Sequence, residues 1–420
     1  MHQPDEKQII THKQTAAFAA KYIAPRADLQ TGQEFPMDIW QEMGKAGLFQ
    51  IGIAKTHGGA GGGYLELLKA GEAFVESGGN VGLAVSWLYQ QIIARFILGT
   101  FATPAQRRQY LRPAARGEII LSFAVSEPGH GAHPKLLNTS ATKDKTGYVL
   151  AGEKTYLTNG PIADIFIVIA VTDDTISLKR ELCITTYKQQ HCFSRESGNP
   201  VLLSDSWIPG QARNDAKRGC VKVSKSFTAF LVPRTAYGVI VTPPMALNFL
   251  KPSPHGGVKL EDCFLGQKSV LGKEGNAWPD LVVPFGEIED VVMMGPALGG
   301  MAAEITMLIG AIREHQTETN RTLREELGAL HALMQTLRIV AYEAANLLDR
   351  SKVSPTPLAI TFARLAAEFQ TGIARVQEEW KIAPPDPYAD LQRDMQSLGS
   401  LKKKLLQIRQ EKIGAALLKP

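Results

Sequence analysis

A three-part fold, helical then β-rich then helical, is what this sequence of 420 residues predicts. Three observations carry it. Apolar residues recur at helical spacing through the first 120 positions, short β-prone runs separated by turn residues fill about 121 to 240, and long helical patterns return from PFGEIEDVVMMGPALGG onward. A chain that is 44% hydrophobic has enough apolar surface for more than one core. The expected organisation is an N-terminal α-helical domain over 1–120, a middle β domain over 121–245, and a C-terminal α-helical domain over 246–420.

Within the first region, DIWQEMGKAGLF (38–49) sets Ile39, Met43 and Leu48 on one helical face. The glycines of GIAKTHGGAGGGY then interrupt the period, permitting tight turns or close ligand approach. Helical patterning resumes at YLELLKAGEAFVE. The middle region reads as strands at LSFAV, YVLAGEKTYLT, IFIVIAV, FTAFLVP and YGVIVTP, with glycine, proline and polar residues between them. Residues 187–219 hold no sustained period; they read as an inserted, exposed loop whose SRESGNPV and WIPGQARND segments resemble translated dispersed DNA repeats. The run GALHALMQTLRIVAYEAANLLDR carries the helical pattern of the last region.

Composition excludes several classes of function. The formal charge of +5 is small, and its concentration between Arg393 and Lys412 fits the charged face of a helix. Nothing resembles a nucleic-acid-binding motif, so no nucleic-acid partner is expected. Cys183, Cys192, Cys220 and Cys263 have neither metal-ligand nor disulfide-framework spacing, and no metal is expected. No secretory leader is recognised, and no segment reads as a roughly 20-residue apolar span, so a cytoplasmic protein without a transmembrane segment is expected.

FAVSEPGHGAH (123–133), followed by GYVLAGEKTYLTNGPIADIFIVIA, then VLGKEGNAW and a helix beginning near Glu289, resembles in order the motifs of the acyl-CoA dehydrogenase superfamily. The resemblance covers most of the chain and thins after about residue 310. It implies an N-terminal all-α domain, a β-barrel-like middle domain and a C-terminal four-helix bundle, with FAD between the last two. It implies that Phe123, Val125 and Ser126 line or hydrogen-bond the isoalloxazine ring, and that Tyr156 and Thr158 approach its opposite edge. Tyr156 stands where many relatives have tryptophan, and Ala132 where many have serine. His130 and His133 read as surface histidines of the loop.

The implied reaction is α,β-desaturation of an acyl-CoA thioester, a carboxylate taking the α proton while the β hydride passes to flavin N5. Arg393 and Asp394 match the segment that precedes the commoner C-terminal glutamate, but Lys402 and Lys403 follow where that base would stand. In isovaleryl- and long-chain-type relatives the base comes from an earlier helix, and there Glu289 matches, ten residues before Gly299. Asp290 replaces the usual arginine beside it. Asn320 and Leu323 occupy positions of the diphosphate clamp, with Arg321 or Arg324 as substitute cations, and the double-glycine segment expected around ARVQEEWKIAPPDP is missing. The resemblance further implies a homotetramer or homodimer and an electron-transfer flavoprotein as acceptor. Two alternatives stand beside this reading: a flavin-dependent oxidase or monooxygenase of a non-CoA substrate, and a catalytically degenerate acyl-CoA-binding or structural homologue.

Overall fold

The computed structural model describes residues 6–32, 34–178, 221–314, 320–350, 353–382, 386–401 and 403–418. The 187–219 insertion and Lys402 lie outside the described residues. The N-terminal helices are α1 (Glu6–Tyr22), α2 (Asp28–Thr31), α3 (Met37–Lys45), α4 (Tyr64–Gly78) and α5 (Val81–Ile92), the last continuing through a π-helical turn at Ile93–Leu98. Short pieces α6 (Gly99–Phe101), α7 (Pro104–Gln106) and α8 (Arg112–Ala114) complete the region. The predicted face of α3 is buried through Ile39, Trp40 and Met43.

Eight strands follow: β1 (Leu121–Ala124), β2 (Ser140–Lys143), β3 (Gly147–Thr158), β4 (Ile165–Leu178), β5 (Val221–Pro233), β6 (Val239–Val241), β7 (His255–Gly266) and β8 (Val270–Leu271). They form one sheet in the order β6-β7-β3-β2-β4-β5-β8, with β1 added parallel to β4. β7 and β8 lie after residue 245, so strand structure continues into the stretch expected to be helical; their charged and glycine-rich sequence, HGGVKLEDCFLG, hid them. The described residues 173–178 and 221–225, at the ends of β4 and β5, are assigned to a separate unit from the rest of the chain.

The remaining helices are α9 (Val283–Val292), α10 (Met294–Glu314), α11 (Arg321–Arg350), α12 (Thr356–Glu379), α13 (Asp386–Leu401) and α14 (Lys403–Leu417). One apolar core joins the N- and C-terminal helices and one face of the sheet, from Trp40, Phe74 and Trp87 to Leu337, Phe369 and Ile373; a second, around Tyr148, Phe166 and Phe230, fills the other side of the sheet. α4 and α10 meet at backbone distance. A Cβ at Gly295 would fall 2.1 Å from the Leu68 carbonyl oxygen, so only glycine fits there. α11 is tied to the same helix by Glu72, which accepts from Arg338 Nε at 2.6 Å and from the Tyr342 hydroxyl at 2.7 Å.

Two helical stretches, Val81–Phe101 and Trp278–Glu314, do reach the length and hydropathy of a membrane span, contrary to the expectation from the sequence. Their most apolar windows are 83% and 72% buried inside the protein, which makes them core helices that are apolar because protein surrounds them.

Candidate active site

Glu289 was expected at the start of a helix, and the structure corrects this. The helical stretch begins earlier, with a π-helical turn at Trp278–Val282 that carries Pro279 in its first turn, where a fixed φ and a missing N–H are tolerated, so Glu289 sits in the second half of α9. Phe285, Ile288, Val291 and Val292 bury the opposing positions and fix the rotation of α9. Glu289 and Asp290 then line a cavity of about 740 Å³. Its walls come from α5, α9, α10, α12, α13 and α14 and from the segment around Leu250 and His255; Met293, Met294, Met301 and Phe362 make much of it apolar.

The Glu289 carboxylate accepts a hydrogen bond of 2.6 Å from the Tyr89 hydroxyl on α5. Burial, and then the charge of Glu289, push the Tyr89 phenol well above its ordinary 10, so it remains a protonated donor. The Tyr89 ring meets Phe285 edge-on with centroids 5.9 Å apart, and Phe285 packs on Phe123 at 4.6 Å. Phe123 on β1 is thereby joined to the base by an aromatic chain.

Asp290 stands where the resemblance implies an arginine, and the Arg409 guanidinium of α14 forms an ion pair with it. The cation is present, supplied from another helix. The Arg393–Asp394 segment serves the cavity wall: buried Asp394 accepts from the Leu250 backbone N–H at 2.6 Å, and burial raises its carboxyl to about 6.

Thr158, at the end of β3, stands opposite His255 in the antiparallel register, with Oγ1 and Nε2 3.2 Å apart. Both line the cavity. His255 Nδ1 lies 3.1 Å from the Ser253 carbonyl oxygen, which only accepts; Nδ1 therefore carries a hydrogen. Burial lowers the His255 pKa, which favours the neutral ring. Neither Tyr89 nor His255 was singled out in the sequence. The aromatic at 89 is one of many in an apolar helix, and His255 follows a proline-rich turn with no motif of its own.

The other residues expected at the flavin divide by exposure. Val125 is buried and its carbonyl accepts from Lys154 Nζ at 3.0 Å, while Ser126 is partly exposed and its carbonyl accepts from Thr155 N at 2.9 Å. Tyr156 is 62% exposed and has φ 57°, in a stretch where the β3–β7 register shifts. A positive φ at a bulky residue is strained, and a bulge that turns such a side chain outward is a mark of a functional surface. Ser126, Tyr156 and Thr158 thus offer an aromatic face and hydroxyls that fit the isoalloxazine ring of FAD.

The diphosphate end fits less well. Asn320 Oδ1 accepts from Leu323 N at 2.9 Å, capping α11, and Leu323 is fully buried, so both clamp positions are used for folding. Arg321 pairs with Glu325 one turn on, and Arg324 is exposed on the same turn. These two are the cations that would serve a diphosphate. His130 and His133 are exposed, and among the described residues no group of His, Cys, Asp or Glu could hold a metal ion.

One acidic residue of the motif has a structural role that the resemblance did not supply. The Glu127 carboxylate accepts from Asn138 N at 2.7 Å, Thr139 N at 2.8 Å and Lys154 Nζ at 2.9 Å. It shapes the loop between β1 and β2 from inside. Burial works to raise its pKa, but the Lys154 charge and the amide donors bring it below the ordinary value.

A part-buried carboxylate in a largely apolar cavity, beside a strand that presents an aromatic ring and hydroxyls outward, fits a flavin-dependent dehydrogenase. The sequence profile of the acyl-CoA dehydrogenase N-terminal domain matches residues 5–118, and that of the middle domain residues 122–195. A mitochondrial isovaleryl-CoA dehydrogenase of Arabidopsis thaliana is 26% identical over 379 residues, which are 88% of this chain and 80% of the relative. Among solved structures, butyryl-CoA dehydrogenase from Megasphaera elsdenii superposes with a TM-score of 0.78 at 19% identity over all of both chains. An FAD complex of PigA superposes with a TM-score of 0.71 at 16% identity, over 97% of this chain and all of the other; at these identities the two structures establish the fold alone. The chain belongs to the acyl-CoA dehydrogenase superfamily.

Proposed function

We propose that the protein is an FAD-dependent acyl-CoA dehydrogenase that desaturates an acyl thioester between its α and β carbons, with Glu289 as the base. The supporting observation is the Glu289 carboxylate, held by Tyr89 at 2.6 Å in the wall of a largely apolar cavity of about 740 Å³ that also contains Thr158. The apolar walls suit a hydrocarbon acyl chain and exclude water, which strengthens every charge effect inside. The Tyr89 donor orients the carboxylate that would take the α proton. Bound FAD supplies the hydride acceptor. Ser126, Tyr156 and Thr158 would hold its ring, and Arg321 and Arg324 its diphosphate.

The names of relatives, isovaleryl-CoA and butyryl-CoA dehydrogenase, favour a CoA thioester over the oxidase and monooxygenase alternative. A cytoplasmic homo-oligomer that passes electrons to an electron-transfer flavoprotein completes the proposal; sedimentation and coupled electron-transfer assays test those parts.

Anaerobic mixing of the FAD-loaded protein with acyl-CoA esters of graded length should bleach the flavin. Glu289→Gln should slow that bleaching by about 10²-fold or more, the ordinary contribution of a positioned base. Fast bleaching in the variant would reject Glu289 as base. Absence of bleaching with every ester, together with oxygen consumption on other substrates, would replace the dehydrogenase reading with the oxidase one.

A further inference from the structure

Hydrogen bonds at two levels fix how the helices beside the cavity run. Glu287 on α9 accepts from the Ser354 hydroxyl at 2.6 Å and from the Thr356 hydroxyl at 3.1 Å, at the start of α12. Further along the same helical stretch, Glu304 on α10 accepts from Gln370 Nε2 of α12 at 2.7 Å. The two helices therefore run in the same direction, with Glu289 near one end of the space between them and Gln370 at the other. Met293, Ala297 and Met301 of one helix and Ala359, Ala363 and Ala366 of the other line the cavity between those ends, and Arg364, also there, is exposed. From Glu289 to Glu304 the helix rises roughly 22 Å, at about 1.5 Å per residue.

The far end is polar and incompletely satisfied. Glu304 is fully buried, and Gln370, half-buried, borders the cavity. Gln370 Nε2 is spent on one Glu304 oxygen. The second Glu304 oxygen and the Gln370 amide oxygen are buried without a hydrogen-bond partner among the described residues. Two such acceptors in one contact cost stability, because each has lost its water and gained no donor in return. Helices that only packed here would carry methionine or alanine, as they do on the preceding turns.

We propose that Gln370, oriented by Glu304, forms the far end of the acyl-binding cavity and selects acyl chains that carry a hydroxyl group on their distal carbon. The proposal rests on the dehydrogenase reading given above. Because Glu304 takes the amide hydrogen, Gln370 has an acceptor left for a ligand, and the ligand must donate. A small turn about the soft terminal torsion of the side chain brings that oxygen to the cavity. A hydroxyl donates without bringing charge. An ammonium would need a counter-charge at the cavity surface, and the Glu304 carboxyl lies behind Gln370, outside the cavity lining. Gln370 is the substrate contact and Glu304 a positioning residue.

Anaerobic reduction of the FAD-loaded enzyme tests this, with acyl-CoA esters of graded length each compared with its ω-hydroxy counterpart. At the length that spans the cavity, the hydroxy ester should be favoured about tenfold or more at low concentration, through tighter binding and not a faster limiting rate. Gln370→Leu, which keeps the size and loses the acceptor, should reverse the preference toward the plain ester. Calorimetry on FAD-loaded Glu289→Gln should show the same preference in affinity. Reduction with no hydroxyl preference at any length, or a preference that Gln370→Leu retains, would overturn the subsite and leave the dehydrogenase reading standing. Stronger binding of ω-amino esters would overturn the hydroxyl assignment. If no ester reduces the flavin, the dehydrogenase reading falls, and the calorimetric preference alone decides whether the subsite stands.

Discussion

Glu127 in the middle domain and Glu304 in the C-terminal helices are both buried carboxylates, and their surroundings drive them in opposite directions. Glu127 meets two backbone amides and the Lys154 ammonium, and is held below the ordinary carboxylate range despite burial. Glu304, fully enclosed within α10, receives one hydrogen bond of 2.7 Å from Gln370 Nε2, and burial raises its carboxyl to about 7. Its other oxygen has no partner among the described residues. The Glu127 charge is met by a cation and amide donors, whereas at positions of the helical region where the resemblance implies other residues, different contacts are found: Asp290 pairs with Arg409, and Asn320 caps α11.

Breaking the sheet-side arrangement should have the largest effect on stability. Glu127→Ala leaves two amide donors without their acceptor and the buried Lys154 ammonium with the Val125 carbonyl but no counter-charge, and should cost about 3–5 kcal/mol in urea unfolding. The combined variant Glu127→Gln with Lys154→Met should recover most of that loss, because no charge is then buried alone. A loss of under about 1 kcal/mol in Glu127→Ala would show that water reaches the site and that this region is no better satisfied than the helical one.

This difference also explains what the sequence disclosed. The motif FAVSEPGHGAH was readable because its residues are local in sequence, and the predicted strands LSFAV (121–125) and YVLAGEKTYLT (148–158) match β1 and β3 to within one residue at each end. β7 was not readable, because three charged residues and three glycines mask its alternation and its pairing partner β3 is some hundred residues away. Glu289 was legible from its position relative to Gly299, and the structure explains that spacing: Gly299 packs against the Glu72 carbonyl, which fixes α10, and α9 just before it. Tyr89, His255 and Arg409 were not legible. Their significance lies only in contacts between distant segments, and no spacing rule reports that a cation removed at 290 returns from 409.

Glu304 gives the comparison its pH signature. Its pKa is higher folded, about 7, than in the ordinary state at 4.5, so the native protein binds the extra proton between those values. The associated stability is fully present below about 4.5 and is lost as pH rises through about 7. Glu304→Gln should remove that slope and raise stability at pH 8 by an amount on the order of 3 kcal/mol. Parallel stability curves for variant and parent from pH 5 to 8 would mean that Glu304 has an ionised partner in solution, which would erase its contrast with Glu127.

The Asp290–Arg409 replacement is next in size. Asp290 is nearly enclosed and lies beside the proposed base, so Arg409→Gln leaves a second negative charge at the site. The single variant should lose about 1–3 kcal/mol of stability, and the double variant with Asp290→Asn should regain most of it, a coupling of about 0.5–3 kcal/mol. Additive effects would show that α14 contributes packing without compensating the charge.

Asn320→Ala should have the smallest effect, about 1 kcal/mol, because a helix N-cap satisfies one backbone donor at a partly exposed end. Its value is in separating two jobs that one position could perform. If residue 320 only caps α11, Asn320→Asp should match the parent in thermal unfolding, since aspartate caps equally well, and should leave FAD affinity within about threefold. If residue 320 also contacts the diphosphate, as its place in the family motif implies, the added negative charge should weaken FAD binding by tenfold or more while thermal unfolding stays the same, an expected difference of about 1.4 kcal/mol in binding alone. The second result would return the clamp function to this helix end, and the helical half would then have kept more of its ancestry than its residues suggest.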